Sequence, residues 1–165
     1  MTFAIRQPPR ILFGRDQAMQ AIPAVVAMGR HAFVVHGRDL SRAAWLAHGL
    51  RREGIAVTTH ACDREPTLPM LESAVAAARG ADVVVSLGGG AAIDLGKAVA
   101  ALVPAPGPAM DHLEVVGRGL PLAADPLPFV ALPTTAGTGA EVTRNAVIDV
   151  PAHRRGTLTP ARTAS

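Results

Sequence analysis

The sequence predicts an α/β fold in which helices cover both faces of a doubly wound, mostly parallel sheet. Strand-like and helix-like patterns alternate along the chain and are separated by turn residues. The segment "DVVVSL" (82–87) is almost wholly apolar beyond its first residue, as expected for a parallel strand buried on both faces. At 165 residues the chain is long enough to bury a core, and one main domain is expected.

The first half of the chain alternates strands with helices. The predicted strands are 11–14, 31–36, 55–60 and 82–87, and the predicted helices are 16–28, 41–53 and 68–79. Asp16 and Ser41 are expected to begin the first two helices, because short polar side chains cap helix N-termini. Gly29, Gly54 and Gly80 follow the three helices, at the position where glycine commonly ends a helix.

The second half contains an apolar helix and two loops. The helix is predicted over 91–103, and the proline-rich segment 104–128 is expected to be a long surface loop with a short helical turn within it. A last parallel strand is predicted at 128–133, and the small-residue loop 134–141 follows it. Residues 141–150 are predicted to be extended.

Composition and charge argue against several classes of function. The formal net charge is +3, and the arginines are spread along the chain rather than clustered, so no nucleic-acid partner is predicted. A single cysteine, Cys62, excludes an intramolecular disulfide and fits a reducing compartment. No segment resembles a signal peptide or a membrane span. A soluble, cytoplasmic chain without a membrane partner is expected.

Two loops lie where an open α/β sheet binds its ligands. "GGG" (88–90) and "TTAGTG" (134–139) each follow a predicted parallel strand, and ligands sit beyond the carboxyl ends of such strands. Glycines let the backbone approach a ligand, and a helix N-terminus attracts phosphate. Together with the threonine hydroxyls, these loops predict a nucleotide site. For the glycine run alone, a tight strand-to-helix turn is an equally good explanation.

The glycine run matches neither of two familiar phosphate-binding motifs. A P-loop has four residues between its first glycine and the Gly-Lys pair, whereas five separate Gly90 from Gly96, and Ala98 stands where Ser or Thr is required. The G-x-G-x-x-G pattern fails because Ile93 occupies its third glycine position. The predicted site is therefore of another type.

The helix that follows the glycines carries one acid and one base. Between Ala91 and Val103 every residue is small or apolar except Asp94 and Lys97, and Lys97 is the only lysine in the chain. Charges in a buried helix need partners, and the i, i+3 spacing puts both on one face near the proposed ligand. The alternative is an intrahelical ion pair with a purely structural role.

Three segments resemble one known family. "GGGAAIDLGK" (88–97) is similar to the signature GGGS-x-x-D-x-x-K, and "PTTAGTGAEVTRN" (133–145) is similar to PTTAGTGSEVT, with Ala91 and Ala140 in place of the serines. "PPRILFG" (8–14) is similar to an opening hairpin. Over about residues 3–155 the chain thus resembles the iron-containing (group III) alcohol dehydrogenases, which are related to glycerol dehydrogenase, maleylacetate reductase and dehydroquinate synthase.

The resemblance implies a Rossmann-like NAD(P)-binding domain over 1–155. Gly88, Gly89 and Gly90 would approach the pyrophosphate, and Asp94, anchored by Lys97, would lie near the nicotinamide ribose. The other residues expected in the cofactor cleft are Thr134, Thr135, Thr138, Thr143 and Asn145. The family reaction is hydride transfer between an alcohol or aldehyde and the nicotinamide.

The segment "HGRD" bears on the choice between NAD and NADP. Members that prefer NAD often have an aspartate where this chain has Gly37, and Arg38 follows it. Loss of the acid beside a guanidinium suits the 2′-phosphate of NADP. A solvated loop arginine with no ligand is an equally good explanation of Arg38.

The resemblance also implies a part of the family architecture that this chain lacks. The resemblance implies that the family metal, Fe(II) or Zn(II), is held by one aspartate and three histidines of an all-helical domain, which we expect to be missing from this chain. Asp149 and His153 have a ligand-like spacing, but Pro151 interrupts it, so no metal-binding or catalytic residue is expected. The tail 156–165 is expected to be disordered or aberrant.

The sequence therefore predicts the cofactor-binding half of an NAD(P)-dependent, metal-dependent alcohol dehydrogenase. This half is expected to be inactive alone, and a homo-oligomer is compatible with the prediction. The alternative is a non-catalytic NAD(P)-binding module or an inactive fragment.

Overall fold

A four-stranded parallel sheet forms the centre of the molecule. The computed structural model describes residues 8–150 and 156–158. The strands of the sheet are β1 (His31–His36), β2 (Ala56–Ala61), β3 (Val83–Gly88) and β4 (Phe129–Pro133), and their spatial order is β2-β1-β3-β4. All three pairings are parallel. A separate antiparallel pair is formed by β5 (Ala146–Ile148) and β6 (Gly156–Leu158).

Helices pack on both faces of this sheet. The helices are α1 (Ala21–Val26), α2 (Ala44–Arg52), α3 (Leu68–Ala77), α4 (Gly90–Leu102) and α5 (Ala109–His112). Buried residues of α1 and α2 share one core with alternate residues of β1 and β3, such as Val34 and Val85. Buried residues of α3 and α4 share a second core with the strand residues that point to the opposite face of the sheet, such as Val35 of β1 and Val84 of β3. The predicted doubly wound α/β class is confirmed.

The strand order places a reversal between β1 and β3. The chain leaves β1 for the outer strand β2 and then returns to the other side of β1 to form β3. The register aligns His36 with Leu87, and Gly88 with Pro133, so three strands end side by side. In open α/β sheets this reversal opens a crevice at the carboxyl ends of the strands. It positions the site described below.

Several local predictions are wrong near the N-terminus. Residues 11–14 form no strand, because no described strand lies beside them to accept their backbone hydrogen bonds, and Phe13 is 99% exposed. For the same reason the segment 8–14, which is similar to an opening hairpin, forms none with the described residues, and residues 1–7 lie outside them. Asp16 makes no capping hydrogen bond, because its backbone is left-handed with φ 60 rather than extended. Ser41 is not a cap either: it lies in a 3-10 turn, Leu40–Ala43, that leads into α2, and Asp39 caps this turn by accepting the N–H of Ser41 at 2.9 Å.

Two further segments depart from the sequence-based picture. Of the predicted extended segment 141–150, only 146–148 form a strand. The chain before them turns at 140–142 and bends at 144, where carbonyl oxygens of the segment 140–145 bind a buried lysine. Within the tail that was expected to be disordered, residues 156–158 form β6, which pairs with β5 and buries Leu158. The rest of that tail lies outside the described residues.

The remaining elements match their predictions within a few residues. Gly54 and Gly80 have positive φ angles of 78 and 85 after the second and third predicted helices, as expected for glycines that end helices. The proline-rich loop contains the short helix α5. Within the described residues, no helix has the length and apolar character needed to cross a bilayer.

Asp82 connects the beginnings of β1 and β3, and its contribution to stability is expected to depend on pH. Its carboxylate accepts the backbone N–H groups of Arg30 and His31 at 2.7 and 2.9 Å. These two bonds hold the pKa of Asp82 below its usual value. A lowered native pKa stabilises the fold above the unfolded-state pKa of about 3.9, and this contribution is lost as the pH falls through the native pKa.

We therefore expect Asp82→Asn to lower the urea midpoint at pH 7. The difference between the variant and the wild type should shrink when both are measured near pH 3, because the wild-type carboxylate is then increasingly protonated. Asp125→Asn, an exposed position in the loop 104–128, is the matched control and should leave the midpoint unchanged at both pH values. A difference at Asp82 that is constant with pH would contradict the assignment.

Candidate functional site

The glycine run forms the turn between β3 and α4. Gly88 ends the strand, and Gly89 is the N-cap of α4 with an extended backbone (φ −77, ψ −174). No side chain caps this helix, and its first turn carries no acidic residue. The first N–H groups of a helix lack intrahelical partners, and the helix dipole makes this end positive. The start of α4 therefore offers unoccupied donors to an anion.

Close packing explains the glycines at 88 and 90, but not the one at 89. A Cβ on Gly88 would lie 2.7 Å from the Ala92 Cβ, and one on Gly90 would lie 3.2 Å from Thr138 Cγ2. A Cβ on Gly89 would instead meet nothing nearer than Thr135 Oγ1, at 3.4 Å. The fold can thus accept a side chain at 89, and its absence leaves the backbone there open to a ligand.

A first cleft lies at the ends of β1, β3 and β4, where the strand order reverses. Its volume is about 230 Å³. The residues that line it are Gly37, Arg38, Asp39, Arg42, Leu87, Gly88, Gly89 and Thr134. Thr134 is held there because its N–H donates to the carbonyl oxygen of Gly88 at 2.9 Å. This is the position at which doubly wound sheets bind nucleotides.

A second cleft lies on the other side of the start of α4. Its volume is about 270 Å³. The residues that line it are Glu65, Gly90, Ala91, Asp94, Thr138, Ala140, Thr143, Asn145 and Val147. Gly89 lines the first cleft and Gly90 lines the second, so the peptide between them separates the two. An extended ligand could therefore cross the N-terminus of α4 and occupy both clefts.

Asp94 and Lys97 form a nearly buried ion pair that fastens α4 to the segment 140–147. Lys97 Nζ lies 2.8 Å from Asp94 Oδ1, and the two side chains are 9% and 14% exposed. The ammonium also donates to the carbonyl oxygens of Ala140, Thr143 and Asn145, at 2.8, 3.4 and 2.5 Å. Asp94 Oδ2 accepts the N–H of Val147 at 3.2 Å. The pair thus fixes the wall of the second cleft as well as the helix.

The charges near the first cleft are mixed. Arg38, Asp39 and Arg42 are all exposed at its edge. The hydrogen bonds from Ser41 are the main reason that the pKa of Asp39 lies below its usual value, and Arg42 and His36 add to the effect. The charge of Arg38 also helps to lower the pKa of Asp63, after the larger effects of Arg64, so a second carboxylate lies within electrostatic reach of this edge.

Burial shifts the pKa values of Cys62 and His60, near the end of β2. Burial raises the pKa of the Cys62 thiol to about 12, and its Sγ donates to the carbonyl oxygen of Arg64 at 3.2 Å. The thiol therefore stays protonated at neutral pH and is a poor nucleophile. Burial also lowers the pKa of His60, with a smaller contribution from His36.

The structure brings most of the predicted site residues together. The first cleft contains Gly37, Arg38, Gly88, Gly89 and Thr134, and the second contains Gly90, Asp94, Thr138, Thr143 and Asn145. Thr135 lies beside Gly89 without lining either cleft, and Lys97 lies behind Asp94. Both proposed roles of the Asp94–Lys97 pair fit this geometry, because the pair joins α4 to the segment 140–147 and Asp94 also lines the second cleft. That these residues bind a cofactor stays a prediction.

Sequence reasoning missed Asp39, Arg42 and Glu65. Arg42 lies in the 3-10 turn Leu40–Ala43 and Arg38 in the loop before it, so no regular spacing in the sequence indicates that both line the cleft. Glu65 enters the second cleft from the loop after β2, and no pattern around it indicates that approach.

The described residues do not form a metal site. In residues 8–150 and 156–158, no three His, Cys, Asp or Glu side chains are close enough together to hold an ion. Asp149 bridges to Thr67 through the backbone, and His153 lies outside the described part of the chain. No chemical step is therefore assigned to a metal here.

Comparison with known proteins gives one consistent result. The sequence profile of the family described as "Iron-containing alcohol dehydrogenase" matches residues 8–164. The chain is 35% identical over 150 residues to long-chain-alcohol dehydrogenase 1 of Geobacillus thermodenitrificans, covering 87% of this chain and 38% of that protein.

Solved structures agree with the sequence matches. An iron-containing alcohol dehydrogenase from Thermotoga maritima superposes with a TM-score of 0.82 at 27% identity, over 97% of this chain and 45% of that one. Sulfoacetaldehyde reductase from Bifidobacterium kashiwanohense, solved in complex with NAD+, gives 0.81 at 27% identity, over 97% and 43%. The chain thus spans less than half the length of these three proteins.

Proposed function

Because the chain belongs to the iron-containing alcohol dehydrogenase family, we propose that it is the NAD(P)-binding half of an oxidoreductase acting on an alcohol or aldehyde. The observation that carries the proposal is the pair of clefts on either side of the uncapped start of α4, at the reversal of strand order. The proposed domain runs over residues 1–155. The NAD+ complex of the similar sulfoacetaldehyde reductase supports a dinucleotide as the ligand.

Each part of the dinucleotide has a counterpart in the site. The pyrophosphate would lie over the N–H groups of Gly89 and Gly90, where no side chain obstructs it and the helix dipole is favourable. The adenosine ribose would occupy the first cleft, beside Gly37 and Arg38. The nicotinamide ribose would occupy the second cleft near Asp94. Further hydroxyl and amide groups would orient the cofactor. They belong to Thr134, Thr135, Thr138, Thr143 and Asn145.

In this proposal Lys97 is a positioning residue. Its ammonium contacts Asp94 and loop carbonyls, and it lines neither cleft. It holds the Asp94 carboxylate in place and keeps the segment 140–145 against α4, so that the second cleft stays open. The bound nicotinamide would supply the hydride chemistry, and the described residues would supply binding and orientation. We include in the proposal that this chain alone does not turn over substrate.

Calorimetric titration of the purified chain with NAD+ and NADP+ tests the binding. We expect saturable binding of at least one dinucleotide with one site per chain. No binding of either would reject the proposal. A separate assay with small alcohols and aldehydes, NAD(P) and added Fe(II) or Zn(II) tests turnover. Activity from the chain alone would overturn the claim that it only binds.

Gly89 allows binding to be separated from stability. We expect Gly89→Ala to leave the unfolding midpoint nearly unchanged, because its extended backbone suits alanine and the nearest atom to the new Cβ is 3.4 Å away. Dinucleotide affinity should fall by about tenfold or more, because the methyl group enters the space over the start of α4. Gly89→Val should weaken binding further. Wild-type affinity in both variants would show that the pyrophosphate does not cross this peptide.

A further inference from the structure

We propose that the first cleft selects the dinucleotide that carries a 2′-phosphate on its adenosine ribose, and that Arg38 and Arg42 recognise this phosphate. The inference rests on the proposed function, because it specifies which dinucleotide the cleft accepts. Both arginines line the first cleft together with Gly37 and Asp39, directly after the end of β1.

Both guanidinium groups are available to a ligand. Arg38 and Arg42 are exposed, and neither makes a hydrogen bond or a close ion pair with any residue that the structure describes. By contrast, Arg64 and Arg118 at other exposed positions are paired with neighbouring aspartates. Arg38 and Arg42 do interact at longer range with the carboxylates of Asp63 and Asp39, but their guanidinium N–H groups are left to a ligand. Two such planar sets of donors at the edge of one cleft suit a phosphate group.

The position after β1 has room for the extra phosphate. A Cβ on Gly37 would meet no atom within 4 Å, so the space beside the glycine is open. A side chain there would narrow this space. The open position and the two guanidinium groups therefore occur at the same edge of the cleft.

The carboxylate in this cleft is poorly placed to recognise an unmodified ribose. Dinucleotide-binding domains that use NAD commonly place an acidic side chain against the ribose hydroxyls. The acid that lines the first cleft here is Asp39, and its Oδ1 already accepts the N–H of Ser41 as a helix cap. Asp39 also lies between two positive groups, so the edge is more favourable to an anion than to a neutral hydroxyl.

Contact of the arginines with the pyrophosphate is the alternative to contact with the 2′-phosphate, and a comparison of four ligands distinguishes the two. NAD+ and NADP+ share the pyrophosphate and differ only in the 2′-phosphate. Titration calorimetry with NAD+, NADP+, 5′-AMP and adenosine 2′,5′-bisphosphate therefore isolates the contribution of that one group. We expect the 2′-phosphorylated member of each pair to bind about tenfold tighter or more. Raising the salt concentration should reduce this preference, because exposed charges are screened.

Charge-matched variants assign the preference to residues. Arg38→Gln and Arg42→Gln should each remove most of it, because each should lower NADP+ affinity far more than NAD+ affinity. Arg52→Gln is the control, because Arg52 ends α2. Ten residues of helical rise place it roughly 15 Å from Arg42 along the helix axis. This distance exceeds the electrostatic screening length of about 8 Å at physiological salt. Asp39→Asn should leave NAD+ affinity unchanged and should not weaken NADP+.

Each result has a defined meaning. NAD+ binding as tightly as NADP+, or more tightly, overturns this inference and leaves the proposed function intact. A loss of NAD+ affinity in Asp39→Asn would identify Asp39 as the ribose acceptor and also overturn it. Equal losses of the preference in Arg52→Gln and Arg42→Gln would show a general charge effect rather than recognition. Failure of both dinucleotides to bind rejects the proposed function together with the inference.

Discussion

Replacing Lys97 with methionine is expected to lower the free energy of unfolding by about 3 kcal/mol. The substitution keeps most of the side-chain volume but leaves the Asp94 carboxylate, which is 14% exposed, without its cation. It also removes the donor to the carbonyl oxygens of Ala140 and Asn145. Urea unfolding followed by circular dichroism and by the fluorescence of Trp45, the single tryptophan, measures the loss.

A double-mutant cycle distinguishes the ion pair from simple packing. Asp94→Asn combined with Lys97→Met removes both charges, and we expect the double variant to cost less than the sum of the single variants by about 1–2 kcal/mol. The single Lys97→Met variant should also bind dinucleotide more weakly than wild type under conditions where it stays folded, because the wall of the second cleft is released. Additive costs would mean that the pair has no coupling energy.

Replacing Gly96 with alanine is the second large effect that we expect, and its direction is the opposite of the usual one. Alanine in place of glycine within a helix normally stabilises by about 1 kcal/mol. At this position the new Cβ would lie 1.9 Å from Ser86 Oγ and 2.9 Å from Phe129 Cε2, between α4 and the sheet. A contact of 1.9 Å belongs at the upper end of the overpacking range, about 3 kcal/mol, and the helix preference of alanine offsets about 1 kcal/mol of it. We therefore expect a net loss of about 2 kcal/mol in unfolding free energy.

The same substitution elsewhere and a second-site change provide the controls. Gly49→Ala in α2 would meet mainly the Cδ1 atom at the end of the Ile22 side chain, which can rotate away, so it should be neutral or stabilising. Ser86→Ala removes the hydroxyl that clashes, together with its hydrogen bond to the Ala92 carbonyl oxygen. Gly96→Ala should therefore cost less in the Ser86→Ala background. An equal cost in both backgrounds would point to Phe129 as the obstacle.

The strands that form the sheet were predictable because their local pattern and their environment agree. The run Val83, Val84, Val85 has side chains in both cores, so continuous apolarity is what a strand covered on both faces requires. Residues 11–14 are equally apolar but have no described partner strand, and a local pattern carries no information about pairing. Apolar sequence alone therefore overpredicted strands at the N-terminus.

The loops of the site could be predicted from the sequence, but most of the contacts that hold them in place could not. Glycine and threonine runs after strands can be recognised locally, and the register of parallel strands brings them together. The ion pair with Asp94 was predicted, but the other partners of Lys97 could not be. They are carbonyl oxygens more than forty residues away, and no side-chain type indicates them. Likewise, the position of Glu65 in the second cleft depends on the fold of β2 and of the loop after it, which no local pattern indicates.

The way in which Lys97 holds the segment 140–145 has a consequence for how this site could change during evolution. Three of its contacts are to main-chain oxygens, which every amino acid supplies. Substitutions at Ala140 or Asn145 could therefore alter the side chains presented to a ligand without removing the acceptors that keep the loop in place. Because Lys97 binds the main chain of this loop, the loop can keep its conformation while its side chains, and with them the contacts to a ligand, change one residue at a time.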